Sequence, residues 1–407
     1  MLIRGGRLVD PAQGIDAARD LRLLDARVAE IGEHLAPLEC EDIVEAAGAI
    51  VAPGFIDMHV HLREPGFEYK ETIATGTEAA VRGGFTAVAC MPNTNPALDS
   101  VETLAALAAI CASSERCRVY PIGAITRGRK GEALVDYAAL ALGGAVGFSD
   151  DGNTVMNARV LRDAALAAKN VPGVFISHAE DDELKGDAVM SDGGLSEDVI
   201  VARDLLIALE TQKAWHIAHL TTARGLDLVR WSRAQGGKAT CEVTPHHLLL
   251  TQDFVREHGA AGKVNPPLRS ERDAASLRAG IRDGTIDVFA SDHAPHSPEE
   301  KSGDLRAAAV GFTALEVAVG AYALAVPDLP LARFIELCSR NPARVLGVPG
   351  GTLAVGAPAD VTIFADRDWI VDPSTFASKG RSTPFAGRTL PRKILATVVG
   401  GRLAFRA

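Results

Sequence analysis

Asp57-Met58-His59-Val60-His61-Leu62-Arg63 closes an apolar run, Phe55–Val60, that starts just after the turn signal Val51-Ala52-Pro53-Gly54. The run predicts a β-strand. Side chains at i and i+2 of a strand share a face, so His59 and His61 converge while Met58 and Val60 face away. Two imidazoles converging at a strand end can grip one divalent ion through ring nitrogens, and an arginine follows two residues later. A His-x-His pair alone is equally two polar residues at a strand terminus. The rest of the chain must supply the other ligands.

Outward from this strand, apolar β-rich runs alternate with alanine-rich helical patterns. Strands are expected at Phe55–Val60, Thr86–Met91, Arg118–Ile122, Ala145–Phe148, Val174–Ser177, Trp215–Ala218, Lys238–Val243 and Ile286–Ala290. Helices are expected near 72–82, 101–113, 131–140, 157–169, 197–212, 222–235, 271–282 and 313–325. Eight successive βα units over roughly 290 residues are what an α/β fold of the (β/α)8 TIM-barrel type requires, with its active site at the strand C-termini. A doubly wound open sheet is the alternative, but no Gly-rich phosphate fingerprint follows any strand.

The two ends read differently, as short strands and turns: Met1–Val9, Leu21–Ile31 with Asp25-Ala26 as a hairpin turn, Ile50-Val51, Ala359–Phe364 and Lys393–Phe405. Neither end has enough apolar residues to fold alone, so both are expected to build one small β-sandwich. The expected division is 1–52 and 347–407 for that sandwich and 53–346 for the barrel.

At 407 residues, with 47% apolar and 23% charged residues, the chain has the composition of a globular enzyme. Its formal net charge of -10 comes without a basic tract, which argues against nucleic acid or an anionic membrane as partner. No signal-like segment and no run of about 18 apolar residues occurs, so a cytoplasmic location is expected. Cys40, Cys90, Cys111, Cys117, Cys241 and Cys338 are scattered without a CxxC pair and read as free thiols. Any metal would therefore be held by nitrogen and oxygen.

The polar residues at the strand ends supply such ligands. The first strand ends in His59 and His61, the fourth runs into Asp150-Asp151-Gly152, the fifth ends in His178, the sixth in His219 and the eighth in Asp292. Four histidines with Asp151 and Asp292 are too many for one tetrahedral zinc and suit two ions. Two divalent ions less two aspartates and one hydroxide leave about one positive charge to attract an anion. Asp151 is the candidate bridging carboxylate.

Each residue also has a plainer reading. Asp150-Asp151-Gly152 is a turn sequence, and His178 can simply open a loop. His216 and His219 are three apart on a strand, so only one faces inward, and His219 is the better ligand. His246 and His247 follow Pro245 and suit a turn. Arg63 can hold a carboxylate in bidentate fashion, while Asn93 and Asn265 offer amide groups. In Ala290-Ser291-Asp292-His293-Ala294-Pro295-His296, Asp292 can serve as metal ligand and proton shuttle and His296 as a carboxylate contact.

The motifs Asp57–Gly66 and Ala290–His296, the latter followed by Lys301, recur with Met91–Pro96, Phe148–Gly152, His178–Asp181, His219–Thr222, Glu242–His247 and Lys263–Arg269. Together they resemble the amidohydrolase superfamily and, within it, the type I bacterial dihydroorotases. The resemblance covers essentially the whole chain. It implies one zinc ion on His59, His61, Asp151 and Asp292 and a second on Asp151, His178 and His219, giving two Zn2+ per subunit bridged by Asp151 and a hydroxide. It implies that His61, Arg63, Asn93, Asn265 and His296, with the backbone at Val310-Gly311, hold dihydroorotate.

The implied reaction is the reversible cyclisation of N-carbamoyl-L-aspartate to dihydroorotate in pyrimidine biosynthesis. In it a metal-bound hydroxide attacks the cyclic amide and Asp292 shuttles the proton. A homo-oligomer, able to join aspartate carbamoyltransferase, belongs to the same expectation. Two departures stand out. Residues 143–151 lack the lysine that many relatives carboxylate to bridge their metals, and Val310 stands where relatives commonly carry an aromatic. The alternatives are a hydantoinase- or allantoinase-like cyclic amidase, and a non-catalytic structural partner of aspartate carbamoyltransferase.

Overall fold

The computed structural model describes residues 1–185 and 193–407. Its centre is a parallel sheet of eight strands: β1 (Phe55–Val60), β2 (Phe85–Cys90), β3 (Arg118–Gly123), β4 (Gly147–Phe148), β5 (Val174–Ser177), β6 (Trp215–Ile217), β7 (Ala239–Val243) and β8 (Val288–Phe289). Each strand pairs with the next in chain order. The sheet nearly closes into the expected barrel. At the seam, Val60 pairs with His293 and the His61 N–H donates to the His293 carbonyl at 2.8 Å. Most of the strands are buried on both faces, which is why they read as unbroken apolar runs, while β3 is half-buried over its first four residues.

The crossovers hold α1 (Ile73–Arg82), α2 (Val101–Ser114), α3 (Tyr137–Leu142), α4 (Ala158–Ala167), α5 (Leu195–Thr211), α6 (Ala223–Ala234), α7 (Glu271–Arg282) and α8 (Ala318–Ala325). Several start where a short polar side chain caps the first turn. Thr72, Ser100, Asn157, Thr222 and Ser270 each accept a hydrogen bond from a backbone N–H of that turn.

Two helices start later than the apolar pattern suggests. Residues 131–136 are not helical: Leu134 bridges to Thr126, and the Asp136 carboxylate then caps α3 through the Ala139 N–H. Residues 313–317 are not part of α8, because the Ala314 N–H donates to the His293 ring at 3.1 Å instead of to a helical carbonyl. The loop after β7 carries two unforeseen short helices, Pro245–Leu249 and Gln252–His258, capped by Thr244 and Thr251.

Both chain ends meet in a separate sheet. Its order is Arg402–Arg406, Lys393–Val399, Val361–Ala365, Ile50–Pro53, Leu2–Asp10, Ile15–Leu24 and Arg27–Gly32, with Ile43–Glu45 also paired to Leu2–Asp10. Asp25 and Ala26 form the hairpin turn with φ of 48° and 61°, the left-handed pair that a tight two-residue turn requires. The sheet is stitched to the barrel through Thr362, which accepts from the Phe55 N–H and donates to the Gly84 carbonyl, and through an Arg118–Asp360 ion pair at 3.0 Å.

Candidate metal centre

The strand ends bring four histidines and two aspartates to one spot at the C-terminal mouth of the barrel. His59, His61 and Asp151 form one group of converging ligand atoms, and Asp151, His178 and His219 form a second. Asp151 belongs to both. Its Oδ1 lies 3.4 Å from His59 Nε2, 3.6 Å from His178 Nδ1 and 3.7 Å from His219 Nε2, and its Oδ2 lies 3.6 Å from His61 Nε2. Asp292 joins the first group, 3.1 Å from His61 Nε2 and 3.5 Å from His59 Nε2.

Alternation alone does not produce this convergence. The β1–β2 register shifts between Asp57 and Val60, so Met58 does not turn away as a regular strand predicts. It packs in one apolar cluster with Ile56, Ala87, Ala89, Ile122 and Ile176. Nor is one of the β6 histidines excluded. The strand ends at Ile217, His219 turns with φ of 33°, and both rings reach the interior. His216 is fully buried there, its Nε2 donating to Glu242 Oε2 at 3.1 Å. The turn reading holds, with the Asn153 N–H donating to the Asp150 carbonyl at 2.9 Å, while the buried Asp150 carboxylate accepts from the Ile125 and Thr126 N–H groups. Asp151 is left to face the histidines, with Ser149 Oγ accepting its N–H.

The outer nitrogens of three histidines are held by acceptors. His59 Nδ1 donates to Glu242 Oε1 at 2.7 Å, His178 Nε2 to Glu180 Oε2 at 3.1 Å and His61 Nδ1 to Asn93 Oδ1 at 2.9 Å. Each bond fixes the tautomer and leaves the other nitrogen's lone pair aimed at the centre. His59 Nε2 and Asp151 Oδ1 are buried there with no hydrogen-bond partner among the described residues. Buried polar atoms are normally satisfied, so a cluster in which three of four imidazoles present lone pairs beside two carboxylates fits divalent cations. The nitrogen and oxygen donor set suits such ions, and the shared Asp151 suits two of them.

Charge follows the same pattern. Burial raises the Asp151 carboxyl, but the surrounding imidazoles, His59 foremost, hold it well below the usual carboxylate range. Burial likewise opposes ionisation of Glu242, yet His59 and His216 pull it down to about 2. Asp292, beside His59 and His61, also stays ionised against the cost of burial. The carboxylates are thus charged and acceptor-only.

Next to this cluster lies a cavity of about 130 Å³, lined by His61, Arg63, Asn93, Asn265, His296, Val310 and Gly311 together with Asp151, His178, His219 and Asp292. Every residue expected to contact substrate borders it. Burial lowers the Arg63 guanidinium to about 10, still charged, and Arg63 makes no ion pair among the described residues. Its Nε donates to the Pro295 carbonyl at 3.3 Å. Burial, with Arg63 and Lys70 nearby, pushes His296 down to about 3, so its ring is neutral. Its Nε2 donates to the Val310 carbonyl at 2.9 Å, and Lys70 Nζ lies 3.3 Å from Nδ1.

Sequence reasoning gave no role to Glu242, Glu180, Arg129 or Lys301. Glu180 had a visible signal, an acid two residues beyond a ligand histidine. Arg129 donates to the Asp151 carbonyl, and Lys301 ties the Lys263 and Ala309 carbonyls together behind the cavity. His247 opens a helix and donates to the Pro266 carbonyl beside Asn265. His246 packs on Phe312, both ring nitrogens buried without a partner.

A nearly closed parallel barrel whose strand ends gather histidines and aspartates into two groups sharing one carboxylate, with a second sheet built from both termini, defines a metal-dependent hydrolase of the amidohydrolase type. An amidohydrolase family model matches residues 199–405, and a model described as dihydro-orotase-like matches residues 48–225. Among solved structures, an L-hydantoinase (dihydropyrimidinase) from Arthrobacter aurescens superimposes with a TM-score of 0.88 at 25% identity, covering 99% of this chain and 95% of that one. A D-hydantoinase gives 0.89 at 21% identity, over 100% and 95% of the two chains, a likeness of fold.

In sequence the chain is 47% identical to a dihydroorotase of Pelotomaculum thermopropionicum, over 100% of this chain and 98% of that protein. It is 43% identical to one of Geobacter sp. strain M21, over 100% and 99%. The chain belongs to the dihydroorotase family.

Proposed function

We propose that this protein is a dihydroorotase, closing N-carbamoyl-L-aspartate to dihydroorotate and water and catalysing the reverse hydrolysis. The observation that carries the reading is one cavity that places an arginine without an ion-pair partner across from the Asp151-centred cluster. Its full-length likeness to dihydroorotases supports the choice of substrate.

The residues that would hold two zinc ions are His59, His61, Asp151 and Asp292 for one and Asp151, His178 and His219 for the other. When bound, such ions lower the pKa of a shared water and polarise an amide carbonyl. With no lysine in residues 143–151, Asp151, common to both groups, is the residue that would hold both ions. Arg63, with Asn93, Asn265 and His296, grips the substrate carboxylate. His296 Nε2 and the Gly311 backbone would each give it an N–H by releasing a carbonyl, that of Val310 and that of Lys263.

Asp292 is ionised and stands at the border of the cluster and the cavity. It takes a proton from the attacking water and passes it to the departing ring nitrogen, and in cyclisation the proton runs back. The test is turnover of dihydroorotate against hydantoin and allantoin. Dihydroorotate should be the preferred substrate by a wide margin, and turnover of only the other two overturns the assignment.

A further inference from the structure

We propose that Glu242 is a positioning residue that couples the two halves of the metal centre, so that weakening it loosens both ions together. The inference rests on the two-ion reading above. Glu242 closes β7, is fully buried and accepts three hydrogen bonds. Its Oε1 takes the His59 Nδ1–H at 2.7 Å and the His219 backbone N–H at 3.1 Å, and its Oε2 takes the His216 Nε2–H at 3.1 Å. His59 belongs to the first ligand group and His219 to the second. One carboxylate thus orients a ligand in each.

The two attachments act differently. On His59 the carboxylate fixes the tautomer and strengthens the ligand, as an outer acid does for a metal-bound imidazole. On His219 it holds the backbone, where φ of 33° needs an outside restraint because a non-glycine residue is strained there. His216 completes the arrangement. It is anchored through Nδ1 to Thr240 Oγ1 at 2.7 Å and keeps the carboxylate from rotating. Asn93 and Glu180 contrast with this, for each bonds to a single candidate ligand, His61 and His178, with Lys185 also on Glu180. A glutamine at 242 keeps the size but removes the charge, so the bonds to His59 and to the His219 N–H lose their charge-assisted strength even where they persist.

The experiment compares the zinc-loaded wild type with E242Q and E180Q. A competing chelator is added, and the number of ions and the rate of each release phase are read with a chromogenic indicator. The wild type should release two ions. E242Q should lose both about 10–100-fold more readily, and E180Q only one. Saturating E242Q with cobalt should restore folded protein whose visible bands are altered for both equivalents, which a purely structural role does not produce. If E242Q does not fold, Glu242→Asp, which keeps the charge and shortens the reach, must loosen both ions in the same way. An E242Q protein in which one ion, or neither, is released faster overturns the coupling while leaving the two-ion reading intact. A wild type holding fewer than two ions overturns both.

Discussion

Arg63, His219 and Asp292 share an unusual backbone, with φ of 64°, 33° and 46°. Such conformations cost about 1–3 kcal/mol each in non-glycine residues and persist only where surrounding structure imposes them. Three of them in one site mark where fold stability yields to placement of a guanidinium, an imidazole and a carboxylate. Asparagine tolerates this backbone as well as aspartate does, so Asp292→Asn should keep the fold while cutting turnover by about 10³-fold or more. Circular dichroism and steady-state rates on one sample check this, and substantial remaining turnover removes Asp292 from the proton path. Replacing Arg63 with Met removes two charge-assisted bonds, a loss of roughly 3 kcal/mol, or ~100-fold in kcat/KM. The change should fall mainly on KM, and a normal KM would show that the carboxylate is held elsewhere.

At the scale of elements, two loops determine whether the site is complete. Gly311 lines the cavity with φ of 133°, and a Cβ there would lie 2.6 Å from Ala294 Cβ and 2.7 Å from the Ala294 carbonyl. Gly311→Ala should cost at least about 1–3 kcal/mol and depress activity, as a denaturant melt and an assay would register. Glu316, on the approach to α8, accepts N–H bonds from Ala377 and Ser378, yet burial raises its carboxyl to about 7. A carboxyl whose folded pKa is raised favours the fold fully below its unfolded value near 4.5 and loses that contribution as pH climbs through 7. Glu316→Gln should therefore stabilise the protein at pH 8 by roughly 2–3 kcal/mol and hardly at pH 4.5. Equal gains at both pH values would contradict the burial argument.

The same scale explains what the sequence disclosed. The eight strands were legible because strands buried on both faces spell apolar runs, and six site residues were legible because each follows such a run. Period-two logic failed where the strands are irregular: at the β1 register shift it misplaced Met58, and beside His219 it excluded His216, which also turns inward. Glu242 went unassigned because its partners lie on neighbouring strands, which local sequence does not encode, whereas Glu180, two residues beyond His178, was signalled locally and overlooked. The starts of α3 and α8 were misjudged for a like reason, since Leu134 and Ala314 make bonds to distant residues.

For the molecule as a whole, the candidate ligands come from five of the eight strand ends, so the proposed metal centre exists only in the closed barrel. Divalent ions bound to the native state alone should raise its stability by about 2.7 kcal/mol at a hundredfold excess over Kd, near 3 °C for a chain of this size. Scanning calorimetry before and after chelation measures it, and an unchanged Tm would mean that the ions contribute nothing to the fold. The barrel's seam carries a further consequence, for birth order. His61 and Asp292 face each other across it though 231 residues apart in the chain. At ribosomal speeds of about 5–20 residues per second, the first histidines wait roughly 10–50 s before their last partner is made. The nascent chain holds an incomplete set of ligands throughout, so loading with metal belongs to the finished protein.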